Sequence, residues 1–221
     1  MKRAFTMLEL VFVIVVIGIL AATIIPSTKT NPLQEAAIQL VSHIRYTQHL
    51  AMVDDRFDIN DNEWFQERWQ LKFSNTDGSG NRWAYAIFSD GNTGASHDGN
   101  PNANQTAINL LDRSKRLTGG YSATTIAYND ADATNKLNIG YSYSIENIYM
   151  TGGCNITDDG KKRIAFDHLG RPIAGALHYS GMTTAYKDII LIKTTCNIIL
   201  NSSDGNVTIA IEPETGYIHI I

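Results

Sequence analysis

Glu9 is the first residue of this chain whose type and setting point to chemistry, because it is the only ionisable side chain between Phe5 and Ile25. A carboxylate buried well inside an apolar helix costs about 2.5–3.5 kcal/mol on membrane-insertion scales, so it needs a partner. No Lys, Arg or His lies in the segment to supply one. The nearest candidate is the amine that cleavage before Phe5 would release, and in a stack of like helices that amine would belong to a neighbour.

The remaining polar constellations are weaker. Asp90, Asn92, Ser96 and Asp98 alternate like oxygens around a calcium ion, but the twelfth position is Pro101 and not a bidentate Glu, so the stretch reads as a Gly/Asn-rich loop. Lys161-Lys162-Arg163 and Arg113-Ser114-Lys115-Arg116 are the basic clusters, each diluted by acidic neighbours at Asp158-Asp159 and Asp112, and both read as solvated turns. Asp167-His168 comes with no nucleophile elbow, metalloprotease helix or phosphate-binding glycine loop. His43 and His49 read as surface or packing residues of a helix, and His97, His178 and His219 as lone surface residues without ligand spacing. No enzyme, cofactor or metal site is expected.

These residues must be carried by a small number of elements. From Phe5 to Ile25 the chain is long enough, at about 1.5 Å per residue, to give roughly 31 Å of helix, which predicts a membrane span. Lys2 and Arg3 before it place the N-terminus in the cytoplasm and the remainder across the membrane. Asn31-Pro32-Leu33-Gln34 is a helix start, with an Asn cap, Pro at the first helical position and Gln three residues on. Leu33, Ala36, Ala37, Leu40, Val41, Ile44, Gln48 and Ala51 then form a stripe that predicts an amphipathic helix to about Val53. Strand-like runs follow at Trp69–Phe73, Trp83–Phe88, Leu137–Ile145, Arg163–Phe166, Ile189–Thr194, Ile198–Leu200, Val207–Ile211 and Tyr217–Ile221. Turn chemistry at Asp204-Gly205 and at 213–216 makes the C-terminus an antiparallel meander.

The expected fold is α+β: a long N-terminal helix, half transmembrane and half amphipathic, packed on an antiparallel β-sheet head. The expected segments are a leader at 1–4, a transmembrane and assembly helix at 5–25, a stalk helix at 26–53 and a β-rich head at 54–221. A formal net charge of −4 gives no general attraction to nucleic acid.

The stretch RAFTMLELVFVIVVIGILAATIIP resembles the class III leader and N-terminal helix of type IV pilins and type II secretion pseudopilins. The resemblance implies a pilin-like fold, cleavage by prepilin peptidase between Ala4 and Phe5, N-methylation of Phe5, filament assembly through Glu9, and helix-loosening positions at Gly18 and Pro26. The family usually has Gly where Ala4 stands. Further on, NRWAYAIFSDGNTGASHDGN with INLL, IAFDHLGRP, YKDIILIKTTC and VTIAIEPETGYI are similar to the GspH/FimT minor pilins and pseudopilins. The implied function is a structural minor subunit of a type II secretion pseudopilus or type IV pilus. It would sit in the inner membrane as a single-pass protein with its head in the periplasm, and its partners would be other pilin subunits, prepilin peptidase and an inner-membrane assembly platform. The alternative is a DNA-contacting tip subunit of a competence pilus. The FimT branch closes with a basic loop, whereas this chain has Gly216-Tyr217-Ile218-His219, so nucleic acid is not expected as a partner.

Cys154 and Cys196 both fall on the exported side of this topology, where an oxidising periplasm favours a disulfide, with buried free thiols as the alternative.

Overall fold

The computed structural model describes residues 6–24, 31–91, 97–122, 126–155, 162–175, 177 and 191–221. The chain divides into two compact units, Met1–Asn31 and Pro32–Ile221.

The first unit holds α1, Met7–Ile24. The expected transmembrane half of a long helix is corrected here: among the described residues no helix is long and apolar enough to cross a membrane. The reason is length: the helix described is Met7–Ile24, about 27 Å at about 1.5 Å per residue, short of a hydrocarbon core of about 30 Å.

The second unit begins with α2, Pro32–Val53, which starts at the proline because a missing N–H costs nothing at the first helical position. Its buried face is Leu33, Ala36, Ala37, Leu40, Val41, Ile44, Thr47 and Ala51. Gln48, expected in that stripe, sits at its margin and donates from Nε2 to the carbonyl oxygens of Gly170 (2.8 Å) and Thr215 (3.1 Å). Thr47 takes the inward place because its hydroxyl donates back to the His43 carbonyl at 2.8 Å and so is satisfied within the helix.

Among the described residues the head has two four-stranded antiparallel sheets where one sheet system was expected. β1 (Gln70–Ser74), β2 (Ala84–Phe88), β4 (Arg163–Phe166) and β5 (Pro172–Ala174) form the first, in the order β2-β1-β4-β5. β3 (Asn147–Gly152), β6 (Cys196–Ser202), β7 (Gly205–Ile211) and β8 (Ile218–Ile220) form the second, in the order β3-β6-β7-β8. α2 packs on strands of both. One core therefore unites Leu40 and Ile44 of the helix with Leu71, Phe73 and Phe166 of the first sheet and Ile198, Ile209 and Ile211 of the second.

Three local expectations change. Leu137–Ile145 is not a strand: a 3-10 turn at Asn135–Leu137 leads into α3, Ile139–Ser142, whose cap is the Asn138 side chain accepting from the Tyr141 N–H at 3.1 Å. The Gly140 N–H is spent on the Trp83 carbonyl (2.8 Å), which docks this turn against the entry to β2. β3 takes the place of the lost strand five residues on, with Ile148 and Met150 inward. Of the strand expected at Ile189–Thr194, residues 189 and 190 lie outside the described residues, and Leu191 makes only an isolated bridge to Ile173. The β6–β7 hairpin turns at Ser203-Asp204, with Ser202 opposite Gly205.

Candidate functional site

The start of α1 is a reciprocal cap. Thr6 donates to Glu9 Oε2 from its backbone N–H and from its hydroxyl, both at 2.9 Å, and the Glu9 N–H donates to Thr6 Oγ1 at 3.3 Å. This is the capping box of a T-x-x-E spacing, a signal legible in the sequence but overshadowed there by the apolar run. It fixes Glu9 at the helix N-terminus, where the macrodipole favours a negative charge. Among the described residues, Oε1 accepts no hydrogen bond, so one carboxylate oxygen is held while the other can receive a donor. Ala4 and Phe5, the expected cleavage and methylation positions, and Pro26, an expected helix break, lie outside the described residues. Gly18 is inside α1, and the helix runs through it without a break.

Past the cap, the large apolar side chains of α1 are exposed on every side: Met7 is 87% exposed, Phe12 70% and Ile19 61%. A helix apolar all round is stable when something else covers it, since water gives its side chains no compensation. Such a surface can bind other apolar helices.

In the head, Cys154 and Cys196 form a disulfide with Cα atoms 5.1 Å apart. Cys196 opens β6 opposite Gly152, the last residue of β3, and the left-handed φ of 70° at Gly152 turns the chain so that Cys154 comes back beside it.

The polar face of the first sheet is covered, not solvated. In β1, Leu71 and Phe73 enter the core, while Lys72 on the opposite face is buried under the loop around residues 98–121. Its ammonium donates to Gly99 O (3.1 Å), Asn100 Oδ1 (2.7 Å) and Tyr121 Oη (3.0 Å) and lies over the Tyr121 ring. Burial pushes the Lys72 ammonium down to about 7 and the neighbouring Asp90 carboxyl up to about 6. Asp90 Oδ2 accepts the Gly99 N–H at 2.6 Å, so this residue organises its own loop. Asn92 and Ser96, two of the four residues weighed as calcium ligands, lie outside the described residues.

The basic clusters do not make a face. Lys162 (7% exposed) lies over the Trp83 ring, and Arg163 (1% exposed) donates to Gln70 Oε1 at 2.9 Å. Lys161 is outside the described residues. Lys115 donates to the carbonyls of Ala131 and Ala133, and Arg116 pairs with Asp132 at 3.5 Å. Asp167 is a turn organiser: it accepts from the backbone of Leu169 and Arg171 and from Arg171 Nε at 2.7 Å, while His168 is exposed. His43, read as surface or packing, is half-buried with Nδ1 2.7 Å from Tyr85 Oη, and burial pushes it down to about 4. His219 is half-buried and stacked on Tyr217. His178 is outside the described residues. His97 is the histidine whose expected place was wrong: it is buried, with Nδ1 held by the Asp90 carbonyl.

No family model, curated protein or solved structure matches this chain. The pilin resemblance therefore rests on the quoted residues alone.

Proposed function

We propose that this chain is a structural minor subunit of a type IV pilus or type II secretion pseudopilus. The observation that carries the reading is α1, an apolar helix exposed on all sides with one carboxylate held at its N-terminus, in a unit separate from the disulfide-tied head. In a filament, equivalent helices of neighbouring subunits cover α1, so a length short of a full bilayer is no obstacle. The open oxygen of Glu9 accepts from the N-terminal amine of a neighbour, which exists only after cleavage between Ala4 and Phe5. Prepilin peptidase supplies that cleavage and the N-methylation of Phe5, and an inner-membrane assembly platform adds the subunit with its head on the periplasmic side.

The inward-turned Lys162 and Arg163 give no support to the DNA-contacting alternative.

Two measurements test the reading. Mass spectrometry of the chain from its native host should find an N-methylated Phe5 at the N-terminus; an intact Met1, or a start near Ala22, refutes it. Glu9→Val should then lower co-purification with the assembled filament by at least about tenfold, as expected for a charge-assisted hydrogen bond lost from an apolar bundle. Equal incorporation of the variant would leave Glu9 without a pairing role.

A further inference from the structure

Outside these features, one cluster among the described residues is arranged as a ligand set. Asp61, Glu67 and His97 present one carboxylate oxygen each and an imidazole nitrogen, all within 4.8 Å of one another. The three come from separate pieces of chain. Asp61 precedes the 3-10 turn Trp64–Glu67, and its Oδ1 accepts the Glu63 N–H at 2.8 Å while its carbonyl accepts the Trp64 N–H. That Asx turn leaves Oδ2 to point away toward His97, 4.0 Å from Nε2. The turn then brings Glu67 back to the same place, and the Glu67 carbonyl accepts from Ser89 Oγ at 2.6 Å, tying it to the end of β2.

His97 decides what the cluster is for. Its Nδ1 is 2.5 Å from the backbone carbonyl of Asp90. A carbonyl can only accept, so Nδ1 carries a proton, and Nε2 is the ring nitrogen left to meet a ligand. The side chain is 2% exposed, and Nε2 faces the carboxylate oxygens of Asp61 and Glu67. An imidazole nitrogen and two carboxylate oxygens converging on one point are a donor set for a cation. The Nδ1–H donated to a backbone carbonyl is also the outer-shell arrangement that orients metal-ligating histidines.

We propose that Asp61, Glu67 and His97 form a binding site for a zinc-class divalent cation. Two carboxylates and a neutral imidazole balance a charge of +2, and the imidazole selects a first-row transition ion over Ca2+ or Mg2+, which prefer all-oxygen shells. Three protein ligands leave one position for water in a tetrahedral site. Bonds of about 2.0–2.2 Å place ligand atoms roughly 3–3.5 Å apart, so the half-exposed Asp61 and Glu67 side chains close by about 1 Å onto the fixed imidazole. The bound ion ties the segment after α2 to the end of β2. This inference does not depend on filament assembly.

The test is a titration of the full chain, freed of metal by chelator, with Zn2+, Ca2+ and Mg2+ in parallel. One equivalent of Zn2+ should bind with Kd below about 10 µM, with no saturable Ca2+ or Mg2+ binding at the same concentrations. Asp61→Asn and Glu67→Gln should each weaken Zn2+ binding at least about tenfold. Asp61→Asn keeps an oxygen for the Glu63 N–H, so the turn persists and circular dichroism should match wild type. His97→Ala should abolish binding; if that buried substitution unfolds the head, the two variants at the half-exposed carboxylates still test the site. Zn2+ affinity unchanged in Asp61→Asn and Glu67→Gln, Ca2+ binding in preference to Zn2+, or no Zn2+ binding by wild type would each overturn the assignment.

Discussion

Reducing the Cys154–Cys196 bridge should destabilise the head without rearranging it. The two cysteines are separated by 42 positions, and closing a loop of that length removes about 4 kcal/mol of entropy from the unfolded chain. The folded side of the balance changes little, because Cys196 stays opposite Gly152 in the β3–β6 ladder and both thiols remain buried after reduction. The loop so closed contains β4 and β5, so the bridge marks the place where the chain leaves the second sheet for the first and returns. For a unit of roughly 190 residues, Pro32–Ile221, the unfolding entropy is about 0.4 kcal/mol per degree. Loss of the bridge should therefore lower the melting temperature by about 10 °C. Thermal melts of the full chain followed by circular dichroism, oxidised and reduced, measure this directly, and peptide mapping without reductant verifies the starting state. Melts that agree within about 2 °C would refute the argument, as would thiols that alkylate in unfolded protein before any reduction.

Two further outcomes follow from buried groups. His43 is held down to about 4 by burial from an ordinary 6.5, so the unfolded chain binds the extra proton; its contribution to stability is complete above pH 6.5, falls as pH drops from 6.5 to 4, and is flat below. The loss is on the order of 3 kcal/mol, and His43→Gln should flatten it; because Asp90, raised to about 6, works in the opposite direction between 3.8 and 6, the readout is the wild-type-minus-variant difference in urea unfolding, and parallel profiles would refute the burial account. Gly119→Ala places a Cβ against the backbone of Leu137 and Asn138, which cannot yield as a flexible side chain would, so it should cost at least about 2 kcal/mol of unfolding free energy; a cost under about 0.5 kcal/mol would mean that this close approach is not held.

Local patterns determined several parts of this molecule unaided. The Asn31-Pro32 start and the 3–4 spacing of apolar residues specify α2 and its buried face, since both signals act within a few turns of one helix. The alternation in β6 and the polar residues after it specify the C-terminal hairpin to within one residue of its turn. Thr6 and Glu9 contain their own cap. Tertiary structure decided the rest. Gln70–Lys72 pair with Arg163–Ala165 from more than ninety positions away, and no short-range pattern states that β1 joins β4 while β3 joins β6. The strand-like composition of 137–145 loses to an Asn138 cap and to docking on Trp83 because long-range packing outweighs weak β-propensity. Lys72, Arg163 and His97 look solvent-exposed in a linear reading because charge and isolation normally mean surface. Each is buried because folding supplies an acceptor: a loop further along the chain covers Lys72, the paired strand brings Gln70 to Arg163, and the Asp90 carbonyl meets His97.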